Sequence, residues 1–454
     1  MNQIDIPQPL DVDHTAGFER FARRQAGGEV FDAPERLPPE QRRLHIRRTL
    51  REDHRFRIHN RPEGAQAKFD KLAKSVFSFF RGTALLYYRD QAGTDTDLPM
   101  VLTIGDIHPE NFGVMPNADR VPFFGVNDFD EAHVAPFSWD VKRGAAGFFV
   151  AGRENGFSKK QCRKVVRAFV RGYLDELALY ARSDREKTHQ FRIDNSPTMI
   201  RELLEGAMQS REAFLDDLID LDKGRFIPTD EVIPRSSEVD RFQAVIDRYV
   251  KTSGIDTAGR AGHFRVKDVA LKTGSGTASL GLDRWFILID GGTDDHHDDI
   301  VLEAKQARRS ALHGLVPGVE PGPGAEAARI VQSQKVHLVA GDPYYGHTEI
   351  DGRSFMVRER SPYKDDIDPD DLDSSEMKTY AGICGRALAQ PHARSDADTG
   401  IMEGDAERRI LDAIVPELFV ADVVRFAEVT AKRIKRDHAL FREDHALGAF
   451  RFAD

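Results

Sequence analysis

The chain has 454 residues, 40% of them hydrophobic and 31% charged, with a formal net charge of −10. At roughly 150 residues per domain it has room for three domains or one large two-part enzyme, and its composition argues for a globular chain with a charged surface and against disorder. No run of about 18 apolar residues and no basic-then-apolar N-terminal order is present, so the expectation is a cytoplasmic protein with no membrane partner.

The first 60 residues are rich in proline and arginine around scattered apolar anchors (Phe18, Phe21, Leu44, Ile46) and read as an extended arm wrapping a body. Within it, residues 36–61 hold nine arginines against Glu40, Glu52 and Asp53, a local +6 that leaves −16 on the remainder. Such a stretch either grips an anionic ligand or is paired within the molecule. The −16 elsewhere argues against a nucleic-acid partner. From Ala65 to Tyr88 apolar residues recur at helical spacing, with an interruption near Gly82. Two strand-like runs follow, Met100 to Ile104 and Val121 to Val126, each ending in a polar cluster.

Helical periodicity covers 159–182 and 198–219, and from about 250 the texture becomes strand-like: Phe264 to Leu271, Arg284 to Ile289 and Ile300 to Ala304. A helix near 325–332, strands near 334–340 and 353–358 and the acidic segment 365–373 complete this module. The remainder is helical, with Pro391 kinking or ending its first helix. Cys162 and Cys384 lack any paired spacing, which excludes a disulfide framework and a structural zinc cluster. The organisation is an arm (1–60), a helical portion with two strand-end clusters (61–250), a β-rich module (251–364) and C-terminal helices (365–454). This is an α+β chain whose smaller module is inserted between two pieces of the larger.

The strongest local signal is GDIHPENFG (Gly105 to Gly113), followed after 13 residues by NDFDE (Asn127 to Glu131). Asp106 and Asn111 share one short loop, where a carboxylate can orient an attacking hydroxyl while the amide oxygen helps hold a divalent cation. Asp128 adds a charged oxygen ligand. Magnesium takes oxygen ligands and commonly uses one or two protein carboxylates plus substrate phosphates, which suits this sparse set. The second signal is GSGTASLG (Gly274 to Gly281), where glycines let backbone N–H groups approach a phosphate. Lys305 lies on a largely apolar strand 24 residues further on, where it is either an edge lysine facing solvent or a buried, partnered one. His296 and His297, within DDHHDD, read as part of a solvated turn, with metal binding as the alternative.

Together these strings resemble the protein-kinase-like fold, particularly its aminoglycoside and choline phosphotransferase branch. GDIHPEN is similar to that branch's catalytic loop, NDFDE to its metal-binding strand end and WDVKRGAAG (Trp139 to Gly147) to the helix start that follows. With FFRGTA (Phe79 to Ala84), LEAKQARRS (Leu302 to Ser310), FMVRERSPYKD (Phe355 to Asp365) and LAQPHARSD (Leu388 to Asp396), the same strings resemble the bacterial DUF2252 family over most of residues 40–450.

The resemblance implies a two-lobed fold with ATP and Mg2+ as cofactors and an unknown acceptor as partner. Asp106 is the implied catalytic base, with His108 and Asp140 supporting its loop. Asn111 and Asp128 are the implied metal ligands, and Asp130 a second metal or water contact. Lys305 is expected on the nucleotide phosphates beneath Gly274, Ser275, Gly276, Thr277 and Ser279, with Glu326 as its carboxylate partner. Two departures stand out: Ile104 replaces the loop's first histidine, and the catalytic loop precedes the glycine-rich loop and lysine, which a circular permutation reconciles. The implied activity is Mg-ATP-dependent phosphotransfer. Alternatives are a nucleotide-binding, pseudokinase-like sensor or scaffold, AMP transfer on the same fold and, more remotely, a metallophosphoesterase.

Overall fold

The computed structural model describes residues 13–29, 33–255, 264–273, 281–291, 296–319 and 326–452. Over residues 15–60 it is helical where an extended arm was expected, with α1 (Thr15–Ala26), α2 (Pro39–Asp53) and α3 (Arg55–Asn60), and α4 (Pro62–Lys74), α5 (Val76–Arg81) and α6 (Ala84–Gln91) follow where helical spacing was expected. Pro39 opens α2, where its missing N–H costs nothing. The buried stripe of that helix, Arg42, Ile46, Thr49 and Leu50, has helical spacing but puts an arginine in a core position, which hides the pattern. Ser75 separates α4 from α5 and caps the latter by accepting the Ser78 N–H at 3.0 Å. Gly82 separates α5 from α6, and a Cβ there would run into the Leu72 side chain.

Strands β1 (Met100–Thr103) and β3 (Pro122–Val126) lie where the sequence placed them. Each pairs with a short strand that the sequence did not reveal: β1 with β4 (His133–Pro136), and β3 with β2 (Phe112–Pro116), both antiparallel. After α7 (Phe137–Glu154) and α8 (Lys159–Tyr180), the helix expected over 198–219 is two helices, α9 (Thr198–Gly206) and α10 (Arg211–Asp216), the second capped by Ser210. A small hairpin of β5 (Ile219–Asp220) and β6 (Arg225–Phe226) follows, then β7 (Val232–Pro234) and α11 (Val239–Ser253).

The β module comprises β8 (Val266–Lys272), β9 (Arg284–Ile289), β10 (Ile300–Gln306), helix α12 (Glu326–His337), β11 (Gly346–Ile350) and β12 (Arg353–Glu359). With β7 these five strands form one six-stranded sheet in the order β11-β12-β10-β9-β8-β7, with antiparallel neighbours throughout. The strand expected over 334–340 is instead the end of α12 and the turn after it. Val336 and Leu338 mimic alternation there, but Ile330, Val331, Gln334 and His337 are buried at helical spacing. Side chains alternate across the sheet. Ile287, Leu302, Ala304, Phe355 and Val357 pack on Phe242, Ile246 and Tyr249 of α11, while Glu303, Lys305 and Arg358 lie on the opposite face.

The chain closes with α13 (Ser374–Ala393), α14 (Ala406–Asp412) and α15 (Pro416–Ala446), Pro391 lying in the last turn of α13. Helix α13 packs along α8, and α15 along α7, α8 and α2. Gly172 and Gly385 permit the first contact, since a Cβ at either would strike the carbonyl oxygen of Gly382 or Phe169. The helical body is thus assembled from sequence on both sides of the β module. Among the described residues, no helix is long and apolar enough to cross a membrane.

Much of the arginine-rich stretch is paired within the molecule. Arg42 donates to both oxygens of Asp90 (2.6 and 2.8 Å) and of Asp437 (3.1 and 2.7 Å), joining α2, α6 and α15 in a buried cluster. Arg43 and Arg47 pair with Asp444, and Arg61 pairs with Asp283. Removing one member of such a buried cluster strands the opposite charges. Arg42→Met is therefore expected to cost about 3–5 kcal/mol, read as a lowered midpoint in equilibrium urea unfolding.

Candidate functional site

From Val101 to Ile104, through the end of β1, the chain is buried, after which Gly105 turns it with φ +83°. A Cβ at Gly105 would collide with the Glu131 carbonyl oxygen, so glycine is required by both conformation and space. The loop that follows is fixed by helix α7. Asp140, fully buried in its first turn, accepts the backbone N–H of Ile104 at 2.6 Å and of Gly105 at 2.9 Å. His392 of α13 donates to the same carboxylate from Nε2 at 3.1 Å, and its Nδ1 accepts the Tyr173 hydroxyl at 2.8 Å. Three helices thereby converge on one carboxylate.

One helical turn beyond Asp140, Arg143 holds the side chain of Asp106. Its guanidinium is buried against the rings of Phe80 (4.4 Å), Tyr87 (4.9 Å) and Tyr88 (5.6 Å), and Nε donates to Asp106 Oδ1 at 2.8 Å. Asp106 is left 18% exposed. His108 is buried; its Nδ1 accepts the Glu110 N–H at 3.2 Å, and its Nε2 lies 4.0 Å from Asp106 Oδ2. Burial and the nearby Arg81 and Arg143 push this imidazole well below its usual range, so it is neutral and positions the loop. Asn111 donates its amide to the Asp106 carbonyl at 2.6 Å, which leaves its side-chain oxygen as an acceptor.

The second cluster is laced to the first, since the Asn127 N–H donates to the Asn111 carbonyl at 3.2 Å. Asp128 Oδ1 accepts the Asp130 N–H at 3.1 Å. Burial, with Asp130 beside it, raises the Asp128 carboxyl above its usual range. Against its own burial, Asp130 is held below that range by the Lys305 ammonium 2.5 Å away. Lys305 sits on β10 in the interior of the sheet and is buried, so the edge-lysine alternative does not hold.

One expectation is corrected here. The carboxylate on Lys305 is Asp130, not Glu326, whose side chain lies 3.8 Å from Arg329. Helix α12 instead sends Arg329 to the backbone carbonyls of Asp130 (2.8 Å) and Ala132 (2.6 Å). Asp130, the expected second metal or water contact, is thus also the partner of Lys305. Gly274, Ser275, Gly276, Thr277 and Ser279 lie outside the described residues, between the paired strands β8 and β9.

Asn111, Asp128, Asp130 and Lys305 line one cleft of about 360 Å³, together with Glu303 and Arg358. Glu303 is buried and held well below the carboxylate range by Arg358 and Arg284, with Arg358 Nε at 2.9 Å. The donors offered to a cation are hard oxygens from Asn111 and Asp128, a set that fits magnesium completed by phosphate and water. Among the described residues, no group of three or more His, Cys, Asp or Glu is arranged to hold a metal ion. His296 lies beside Lys267 and 3.4 Å from Asp299. Arg143, Glu303 and Arg358 were not singled out from sequence. The available signals were the i, i+3 spacing of Asp140 and Arg143 on one helix and the two-residue spacing of Glu303 and Lys305 on one strand.

Residues 60–444 match the family model described as an uncharacterized protein conserved in bacteria, DUF2252. The chain belongs to the DUF2252 family. Neither a curated protein nor a solved structure matches it. The DUF2252 match spans both loops, α7, Lys305 and α13, and begins after Arg55 and Arg57.

In this DUF2252 protein, Asp140→Ala leaves two buried N–H groups and a histidine without their acceptor. A loss of about 2–4 kcal/mol is expected, with hydrogen-exchange protection falling selectively at residues 104–105. A second test concerns Asp342, which also lines the cleft and whose carboxyl is pushed up to about 7 by burial and by Glu359. An unfolded aspartate titrates near 4. Between about 4 and 7 the unfolded state therefore releases its proton first, so stability falls as pH rises and levels off above about 7. Asp342→Asn sacrifices the acceptor for the Glu359 N–H but retains that for Tyr344. It is expected to be less stable at acid pH yet flatter across that window, as measured by urea midpoints.

Proposed function

We propose that this protein is a Mg-ATP-dependent phosphotransferase with kinase-like lobes in circularly permuted order. The observation that carries the reading is one cleft in which Asn111, Asp128 and the Asp130–Lys305 pair meet, beside a loop whose Asp106 is held by Arg143. In protein kinases the lysine stands on the third strand, after a hairpin that covers the phosphates, with a helix next in sequence. Lys305 likewise stands on β10, after the β8–β9 pair around the glycine-rich segment and before α12. The β module then corresponds to the nucleotide lobe, and the helical body to the lobe carrying the catalytic loop.

In this reading Asp106 Oδ2 receives the proton of an acceptor hydroxyl while Arg143 fixes Oδ1. The acceptor oxygen forms a bond to the γ-phosphorus, the bond from phosphorus to the bridging oxygen breaks, and ADP leaves with the electron pair. Asn111 and Asp128 would hold the magnesium ion, which when bound neutralises charge on the phosphate oxygens. Lys305, exchanging or sharing Asp130 with a phosphate, orients the nucleotide. His108 keeps the loop in place without carrying charge.

Calorimetry of the purified chain with Mg-ATP tests the reading. Binding is expected, weakened about tenfold or more by Asp128→Asn or Lys305→Ala, the loss of roughly one charge-assisted contact. Asp106→Asn is expected to retain binding and to lower transfer by about 10²–10⁴-fold. Absence of nucleotide binding overturns the proposal. Binding without turnover favours a nucleotide sensor, and label transferred from the α-phosphate rather than the γ-phosphate identifies AMP transfer.

A further inference from the structure

A second cavity, of about 290 Å³, lies between the N-terminal helices and the residues that follow β10. Its lining includes five arginines, Arg55, Arg57, Arg89, Arg308 and Arg309, against two carboxylates, Glu52 and Asp53. Pairing accounts for part of this charge. Arg89 donates to Glu52 at 2.7 Å, and Arg308 to Asp53 at 2.8 Å and to Glu131 at 2.9 Å. Arg309 donates to the Thr15 hydroxyl at 3.1 Å and lies 4.0 Å from the exposed Asp13. Arg55 makes no ion pair or side-chain hydrogen bond among the described residues. Lys68, 2% exposed and within the field of Arg57, Arg308, Asp53 and Glu131, makes none either.

Burying cations is costly even where they have partners, as Arg57 has in His54 at 3.3 Å. The cost registers here as lowered proton affinity: burial, with Arg308 adding repulsion, brings Arg57 down to about 9, and burial with Arg57 pushes Lys68 well below the usual lysine range. The cavity also has an apolar side formed by Phe18, Phe56 and Leu85.

Its position relates it to the cleft. Two ion pairs one residue apart tie the same loop to the same strand end: Asp130 to Lys305, which lines the cleft, and Glu131 to Arg308, which lines the cavity. Leu282, at the end of the glycine-rich segment, borders the cavity, and Gly281 packs on the Arg57 side chain. The loop bearing Asp106 abuts the same residue, since Gly105 packs on the Glu131 carbonyl.

We propose that this cavity is the acceptor subsite and that the acceptor carries an oxyanion, phosphate or carboxylate, attached to a small apolar group. The inference rests on the phosphotransfer reading for the word acceptor, and on charge and shape alone for the anion. Guanidinium forks match both oxyanions in a two-point geometry, and a phosphate offers them the greater charge.

The test uses the full chain titrated with phenyl phosphate, benzoate and inorganic phosphate, alongside a separate Mg-ATP titration. Phenyl phosphate or benzoate is expected to bind more tightly than inorganic phosphate, and the preferred one identifies the oxyanion. The exposed double variant Arg55→Glu with Arg309→Glu is expected to weaken that binding about tenfold or more and to leave Mg-ATP binding unchanged. Anion binding absent at millimolar concentration, or unaffected in the double variant, overturns the inference even when Mg-ATP binds. Anion binding that is lost in the variant while Mg-ATP fails to bind the wild type leaves the anion site standing and removes the phosphotransfer reading.

Discussion

The architecture of the site depends on one buried carboxylate. Asp140 has no exposure, and it accepts two consecutive backbone N–H groups and a histidine. A carboxylate in that position is tolerated only because its acceptor capacity is met by donors, and each donor is in turn fixed by it. The result is a loop whose backbone is set by helix α7 before any ligand arrives. Arg143, one turn along the same helix, extends that control from the backbone to the Asp106 side chain. Rigid helix thus determines where a catalytic-type carboxylate points, a precondition for positioning a nucleophile.

The opposing wall is built on different physics. The sheet buries one face against α11, and its other face combines an apolar cluster around Phe286, Leu288 and Val301 with charge, Glu303 and Lys305 alternating with Leu302 and Ala304 along a single strand. Such a strand is stable only with its charges matched, and the matching comes from neighbouring strands for Glu303 and from the helical body for Lys305. The Asp130–Lys305 and Glu131–Arg308 pairs therefore couple the sheet and the segment after β10 to the loops electrostatically, beside the apolar core to which Phe129 and Met356 belong.

Asp106, Asn111, Asp128 and Lys305 were legible because their chemistry is local: a short loop, a strand end, and a charge in an apolar run. Arg143, Arg358 and the true partner of Lys305 were not, since each acts on a residue far away in sequence, and the spacing of Asp140 and Arg143 on one helix does not say what they hold. The N-terminal helices were misread for a related reason. Arg42 occupies a core position because Asp90 and Asp437 meet it there, and a distant pair cannot be seen in a stripe of arginines. Strands β2, β4 and β11 are four or five residues long and contain glycine, proline or histidine, so their identity comes from pairing rather than propensity.

The division of the helical body between the two sides of the β module bears on how the protein is made. The loop of Asp106 emerges from the ribosome early, but His392, which shares Asp140 with it, and helix α13, which packs along α8, arrive more than 200 residues later. Contacts of such sequence separation form slowly, and nascent domains acquire structure from the N-terminal side first. The β module, whose strands lie close together in sequence, can pair while the body still lacks its last helices. During translation the exposed face of α8 and the unpinned loop form a transient surface that α13 later covers, so competence of the site is among the last events of biosynthesis.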